Sequence, residues 1–325
     1  MLAAMLRTPD GPLEIEERTD PRADEGTLLE TRAAPLNPID LSIAAGRFFA
    51  GRPPMPYVPG IEAVASVVDS KRLAAGARVF ASGDGLGVTR DGTLAERFTA
   101  PEEALIEVPE GVDDPIAAAL GTAGLAAWMP LAWRSPVGED ESVLVLGATG
   151  TVGLLAVQVA KLLGASRVVA VGRDTGRLER ASRLGADAVV PLGEDFAERL
   201  RLVVAPRPPT LILDMLWGDA LEASVKIAAR GARIINVGQA PEADAQDAPT
   251  AAVSSADLRA KRLELIGWSN YAAPPARLAE GYRDLLGHAA AGRVEIELET
   301  IPLADADKAW QRFAAGGAPK LVIVP

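Results

Sequence analysis

The stretch that decides the fold is VLVLGATGTVGLLAVQVAKLLGA, Val143–Ala165. It reads as an apolar strand over Val143–Leu146, a turn spelled Gly147-x-x-Gly150-x-x-Gly153, and a helix over Val152–Leu163. The first glycine makes the tight turn, the second lets a pyrophosphate approach the backbone, and the third lets helix and strand pack closely. The phosphate then rests on the unpaired N–H groups and the positive dipole end of the new helix. A glycine triplet alone is a weak signal. Standing between a strand and a helix, at the head of a βαβ unit, it becomes a dinucleotide-binding turn. The expected cradle is Gly147, Thr149, Gly150, Thr151, Val152 and Gly153.

The next unit, VVAVGRDTGR (Val168–Arg177), bears on which dinucleotide binds. A strand over Arg167–Val171 leaves Gly172 at its carboxyl tip, where an NAD-type site carries an acid for the ribose hydroxyls. Asp174 lies two residues further on, placed to cap the following helix by accepting a first-turn N–H. Arg173 sits beside the tip and Arg177 one helical turn beyond. Two guanidiniums and no acid favour the 2′-phosphate of NADPH; the alternative is that both arginines form a solvated face. Gly238 and Trp268, near the ends of later strands, complete the expected cofactor-binding set.

Outward from this core the pattern is regular. Strands are expected at Ala188–Val190, Leu211–Asp214, Arg233–Val237 and Leu263–Trp268, with helices near Asp195–Val203 and Asp219–Ala229 between them. Short strands that are apolar on both faces and alternate with helices specify a parallel sheet covered on both sides. The preceding hundred or so residues are different: short β-prone runs punctuated by Gly and Pro. The texture changes near residue 115, where DDPIAAALGTAGLAAWMPLAW reads as helix, capped by Asp113 or Asp114 with Pro115 in its first turn. After residue 270 a helix (Arg277–Ala291), EIELETIPL and KLVIVP suggest a return to the first domain. The expected organisation is 1–116, a first domain; 117–268, a nucleotide-binding domain inserted into it; and 269–325, the return segment.

Composition limits the chemistry. Of 325 residues, 49% are hydrophobic and 24% charged, which describes a soluble globular chain, and no apolar run is long enough to span a bilayer. The amino-terminal MLAAMLRTPDGPLEIEE turns polar too soon for a signal peptide, so a cytoplasmic location is expected, with no membrane partner. A formal charge of −11 would repel a phosphate backbone and argues against a nucleic-acid partner. The chain has no cysteine, which removes disulfides, thiolate metal sites and cysteine nucleophiles. The single histidine, His288, lies late on an amphipathic helix, where a solvated or C-terminal capping role is expected. Chemistry must therefore come from hydroxyls, amides, carboxylates or a cofactor.

Several segments, in order along essentially the whole chain, resemble one family. They are AAPLNPIDLSIAAGRF (Ala33–Phe48), PYVPGIEAVASV (Pro56–Val67), GTLAERFTAP (Gly92–Pro101), GTAGLAAW (Gly121–Trp128) and the glycine-rich turn itself. The chain resembles the medium-chain dehydrogenase/reductase superfamily, and within it the zinc-free, quinone oxidoreductase-like (zeta-crystallin-like) branch. The resemblance implies an α/β fold: a doubly wound parallel (Rossmann) sheet domain inserted in a mainly-β, GroES-like catalytic domain. Zinc-dependent relatives carry a Cys near Asn37 and a His just before the Glu of their GHE segment. This chain has LNPID and Gly60-Ile61-Glu62 at those places, so no metal is expected and Glu62 reads as a structural hydrogen-bond partner.

The resemblance also implies site residues. Asn37 matches the family's cleft asparagine and can donate from its amide, or else serves as a turn residue before Pro38. Thr122 matches a threonine near the nicotinamide, or else is a helix-internal hydroxyl. Phe48 and Phe49 stand where many relatives carry tyrosines, giving an apolar substrate pocket without a phenolic proton donor. The family's GK pair becomes Ala318-Pro319-Lys320, which puts a cofactor role for Lys320 in doubt. The function implied is NADPH-dependent hydride transfer to a small-molecule quinone or α,β-unsaturated carbonyl. The alternatives are an NADPH-binding sensor or structural protein with little turnover, or a reductase tailoring one specialised metabolite. Relatives often pair as homodimers through the last strand of the nucleotide domain, here Leu263–Trp268, whose apolar edge would be a liability in a monomer.

Overall fold

Strand pairing separates two large sheets, one antiparallel in the main and one wholly parallel. A computed structural model describes residues 1–22, 26–239, 249–317 and 319–325. The chain divides into two compact units. The first comprises Met1–Ala123, Tyr282–Ala291 and Ile296–Pro325, and the second Gly124–Gly281 and Gly292–Glu295.

The first unit opens with an antiparallel pair, β1 (Leu2–Leu6) and β2 (Leu13–Glu17). Then come β3 (Thr27–Pro35), α1 (Pro38–Ala44), β4 (Glu62–Asp69), β5 (Arg78–Ser82), β6 (Arg97–Ala100), β7 (Leu105–Glu107) and α2 (Asp114–Ala119). The helix read through DDPIAAALGTAGLAAW breaks at Gly121 into α2 and α3 (Thr122–Met129). Asp113 precedes α2 and Pro115 lies in its first turn, as the sequence predicts.

The second unit carries β8 (Ser142–Leu146), α4 (Thr151–Leu162), β9 (Arg167–Gly172), α5 (Thr175–Arg183), β10 (Ala188–Pro191), α6 (Phe196–Val204), β11 (Leu211–Asp214), α7 (Gly218–Ile227), β12 (Arg233–Asn236), α8 (Ser255–Lys261) and β13 (Glu264–Gly267). The sequence reading omits α8. Its signal is a serine cap: Ser254 Oγ accepts the Asp257 N–H at 3.0 Å. The chain ends with α9 (Pro275–Ala290), β14 (Leu298–Pro302), α10 (Ala306–Ala314) and β15 (Lys320–Val324).

In the second unit the sheet runs β10-β9-β8-β11-β12-β13, all parallel. Every side chain of β8 and β11 is buried, the expected result for strands covered on both faces. Each fully buried Val, Leu or Ile contributes about 1.5–3 kcal/mol. In the first unit the sheet runs β14-β15-β3-β4-β5-β7, with β6 also on β3. Its core gathers Leu6, Leu29, Ile43, Tyr57, Leu94 and Leu321. The chain thus has the α/β architecture expected: a GroES-like unit made of early and late segments, and a doubly wound parallel sheet between them in sequence.

The chain passes between the units at residues 123/124 and 281/282, later than the composition change at 116 and later than 268, and again briefly at 291/292 and 295/296. The physical reason is packing. The α2 helix lies against β3, β4 and β15, and so belongs to the first unit although it looks like the start of a helical region. At the second crossing a continuous helix, α9, passes from one unit to the other.

Candidate functional site

In the second unit the expected cofactor residues fall along one edge of one sheet. Leu146, Asp214 and Asn236 align at the carboxyl ends of β8, β11 and β12, and Pro191 pairs with Gly172 at the ends of β10 and β9. The chain reverses its direction of winding between β8 and β11, and the crevice outside such a point is where doubly wound sheets bind ligands. Gly147–Gly153 follow β8, Gly172–Arg177 close β9 and open α5, Gly238 follows β12 and Trp268 follows β13.

The glycine turn has the geometry that a pyrophosphate needs. Gly147 has φ +89°, a conformation that disfavours a side chain, and a Cβ on Gly153 would lie 2.2 Å from the Gly147 carbonyl. Gly150 stands at the start of the twelve-residue α4, and no side chain caps that helix. Its first-turn N–H groups are therefore left to an anion. At the end of β9 a Cβ on Gly172 would meet Thr149 Cγ2 at 2.3 Å, so no acidic side chain fits at that place without a shift. Asp174 Oδ1 accepts the Arg177 N–H at 3.0 Å, which commits this acid to capping α5. Arg173 is exposed and Arg177 half-buried. The residues present thus fit a dinucleotide: Gly147–Gly153 leave the close approach and the helix start that its phosphates would need.

Further along this edge, Asp214 is fully buried and accepts the N–H groups of Leu216 (2.9 Å) and Trp217 (3.0 Å). Asn236 Nδ2 bridges Asp214 Oδ2 (2.8 Å) and the Gly238 carbonyl (2.7 Å), fixing the loop that carries Gly238. The Trp268 indole N–H donates to Asn270 Oδ1 at 3.1 Å, and its ring meets Trp133 edge-on at 5.9 Å.

The remaining candidates lie in the first unit. Asn37 and Thr122, 85 positions apart, meet through Glu62. Antiparallel pairing of Pro35 with Val322, continued two residues, brings Asn37 opposite Lys320, while pairing of β3 with β4 delivers Glu62. Asn37 Nδ2 donates to Glu62 Oε1 (2.8 Å) and to the Pro35 carbonyl (3.3 Å). Thr122 donates both its N–H and its hydroxyl to Glu62 Oε2, each at 2.7 Å. Lys320 Nζ donates to Asn37 Oδ1 (2.6 Å) and to the Leu36 carbonyl (2.9 Å). Asp40 Oδ2 accepts the Asn37 N–H at 2.7 Å, closing the first turn of α1. Gly121 makes room for the carboxylate, since a Cβ there would lie 2.4 Å from Glu62 Oε2.

Asn37, Asp40, Glu62 and Lys320 are each no more than 4% exposed, and Thr122 is half-buried. The Asn37 amide is thus engaged inside the unit on both its nitrogen and its oxygen. Phe48 is half-buried against the core, and Phe49, 81% exposed, tilts against it at 4.4 Å. The sequence reading missed Asp40, although N-x-x-D beside Pro38 is a helix-start signal, and left Lys320 in doubt; Ala318 lies outside the described residues. Among the described residues no group of three His, Asp or Glu side chains could hold a metal ion, and no helix is long and apolar enough to cross a membrane.

Burial dominates the electrostatics of this cluster. It raises the Glu62 carboxyl, against the opposing pull of Lys320, Thr122 and Asn37, and it lowers the Lys320 ammonium, against Glu62 and Asp40. The Asp40 carboxyl is pushed up to about 7, first by burial, with the Asn37 N–H opposing and Glu62 adding to the rise. An acid whose folded pKa is raised loses stability as pH climbs from the unfolded value, about 4, to the folded one. Asp40→Asn removes that loss. Its stability relative to the unmodified chain is expected to rise by about 2–3 kcal/mol between about pH 5 and pH 8 in urea unfolding. An unchanged difference across that range would contradict the assignment.

Comparison with known proteins places these features in a family. The alcohol dehydrogenase GroES-like domain matches residues 23–110, and the zinc-binding dehydrogenase domain matches residues 151–286. The chain is 28% identical to human quinone oxidoreductase over 265 residues, covering 79% of this chain and 76% of that protein. It is 33% identical to the chloroplastic NADPH-dependent alkenal/one oxidoreductase of Arabidopsis thaliana over 221 residues, covering 65% and 55%. A phenolphthiocerol/phthiocerol polyketide synthase subunit of Mycobacterium tuberculosis is 32% identical over 302 residues, 90% of this chain, which spans only 13% of that subunit. Among solved structures, a mycobacterial protein complexed with NADPH superposes with a TM-score of 0.83 at 25% identity, covering the whole of both chains.

Proposed function

The chain belongs to the medium-chain dehydrogenase/reductase superfamily, in its quinone oxidoreductase-like branch, and from this we propose that it is an NADPH-dependent oxidoreductase reducing a quinone or an α,β-unsaturated carbonyl. The observation that carries the reading is the carboxyl edge of the parallel sheet. There an uncapped helix behind Gly147–Gly153 accompanies a β9 tip with no acid and two arginines. Bound at that edge, the dinucleotide would supply hydride. Gly147–Gly153 hold its phosphates, and Arg173 and Arg177 meet a 2′-phosphate. Gly238 and Trp268 line the same edge. Phe48 and Phe49 offer an apolar surface to the acceptor, which suits quinones and enones better than small alcohols. The relatives named for quinones and for alkenals and enones support this acceptor class.

The test follows NADPH absorbance with quinones, enones and aldehydes in turn. Oxidation with the first two classes and little with aldehydes is expected. Oxidation with aldehydes alone would overturn the acceptor class, and tight NADPH binding with no oxidation by any acceptor would favour a sensor or structural role.

A homodimer is part of the same proposal. β13 is an edge strand of the parallel sheet and Leu265, 41% exposed, lies on it. An exposed apolar edge is a pairing surface unless a partner covers it. Sedimentation is expected to find a dimer, and Leu265→Asp a monomer with NADPH binding within about twofold. A monomeric parent chain would contradict the proposal.

A further inference from the structure

Two buried polar atoms of the first unit have no hydrogen-bond partner among the described residues: Oδ1 of Asp40 and the hydroxyl of Tyr57. Both residues are 2% exposed, and they are close enough that charge on the carboxyl acts on the phenol. They are not bonded to each other. Orphaned buried groups are rare and costly, and two facing ones call for a reason.

The neighbouring cluster decides which carboxyl holds a proton. Glu62 accepts three donors: the Asn37 amide, and the N–H and hydroxyl of Thr122. Asp40 accepts the Asn37 N–H on Oδ2 and nothing on Oδ1. Lys320 is the one ammonium of the cluster and balances a single anion. Glu62 is the better supplied with donors, so neutrality leaves the proton on Asp40. Burial pushes the Asp40 carboxyl up to about 7, so that proton is exchanged near neutral pH.

We propose that Asp40 and Tyr57 form a pH-operated catch. Below neutrality Asp40 is protonated and stands apart from Tyr57; above it the proton passes to solvent, and the Tyr57 hydroxyl donates to Oδ1 of the carboxylate. The proposal concerns the first unit alone and does not depend on the reductase reading.

Closing the catch moves α1 rather than Tyr57. The Tyr57 backbone is fixed to the end of β1, its N–H donating to the Leu6 carbonyl at 3.1 Å and its carbonyl accepting the Leu6 N–H at 2.9 Å. In contrast α1 has seven residues, and the chain beyond it is jointed. Gly46 (φ +72°) and Gly51 (φ +81°) bracket Arg47–Ala50, and a Cβ on Gly51 would meet nothing. Drawing Asp40 toward Tyr57 therefore carries this loop, with Phe48 and Phe49, along with the helix.

The groups that face Asp40 come from several elements. Glu62 from β4 adds to the rise of its carboxyl, while Lys320 from β15 and the N–H groups of Asn37 and Ile61 oppose it. Arg52 acts on Tyr57 from the loop before β4, and Tyr282 from α9 faces Glu62. Arg47, past the end of α1, pairs with Asp10 at 4.0 Å. Burial raises both phenols, so each keeps its proton through this range.

The test uses the whole chain without cofactor. Infrared difference spectra between about pH 5 and pH 9 should show a buried carboxylic acid losing its proton. Its band should shift when aspartate carries carbon-13 at the side-chain carboxyl, and stay in place when glutamate does. With tyrosine labelled at Cζ, one carbon-13 resonance should move with the same midpoint as that band. Tyr57→Phe should remove this resonance and raise the midpoint by about one pH unit, because the carboxylate loses its donor. Amide exchange over residues 41–51, corrected for the chemical effect of pH, should change about tenfold across the range. Asp40→Asn should abolish that change and hold every tyrosine resonance still. A band that follows labelled glutamate, or no band, would overturn the placing of the proton. A Y57F chain with the parent midpoint, or D40N with the parent's change in exchange, would overturn the catch. Should D40N not fold, the labelled parent chain and Y57F decide.

Discussion

Arg173→Ala is expected to weaken NADPH binding by about ten- to a hundredfold and to leave NADH binding within about twofold. The two dinucleotides differ by one phosphate, and a charge-assisted hydrogen bond to it contributes about 1.5–3 kcal/mol. The geometry around the β9 tip makes the comparison clean. Gly172 cannot carry a side chain without meeting Thr149, so the β9 tip itself holds no acid, and the Oδ1 of Asp174 is taken up by the Arg177 N–H. Removing both Arg173 and Arg177 should cost NADPH more than either change alone. Calorimetric titration of each dinucleotide measures this, and an equal loss for NADPH and NADH would mean that Arg173 does not read the 2′-phosphate.

The second large effect is on stability. Lys320→Met is expected to destabilise the chain by about 3–5 kcal/mol, the usual cost of leaving a buried opposite charge without its partner. Lys320 supplies the positive charge for both Glu62 and Asp40 and a donor to the Asn37 amide oxygen. Without it, both carboxyls must hold protons in the folded state. Their folded pKa values then rise further above the unfolded ones, so the loss grows as pH increases through the range where unfolded carboxylates ionise. At about 2–4 °C per kcal/mol, the melting temperature at pH 8 should fall by about 5–20 °C, and by less at pH 5. Adding Glu62→Gln to Lys320→Met should recover part of the loss, because one of the two uncompensated acids is gone. A Lys320→Met chain as stable as its parent at pH 8 would show that the cluster does not depend on this charge.

How far the sequence could be read depended on the range of the interactions involved. The glycine turn, the β9 tip and the Asp174 cap are set by residues within a few positions of one another, and local pattern reaches them. Thr122 and Glu62 were visible as residues, but not as partners, because 60 positions separate them and only the folded sheet places one against the other. Lys320 is more extreme. It reaches Asn37 across 283 positions through the pairing of β15 with β3, and an altered neighbour in the sequence hid a lysine whose ammonium lies in the core. The domain limits differ for a related reason. Composition changes where helices begin, but α2 packs on the sheet of the first unit and α9 runs through the boundary. The α8 helix is only seven residues long, and its cap is a better signal than its periodicity.

The central claim is that this chain moves hydride from NADPH to a conjugated carbonyl. It is tested most directly by supplying NADPH deuterated at the transferable position of the nicotinamide, together with an enone, and weighing the product. One deuterium at the β-carbon, with one equivalent of NADP⁺ formed per product, is the result this account expects. Bound NADPH that leaves every enone free of deuterium and is oxidised by no quinone would contradict it.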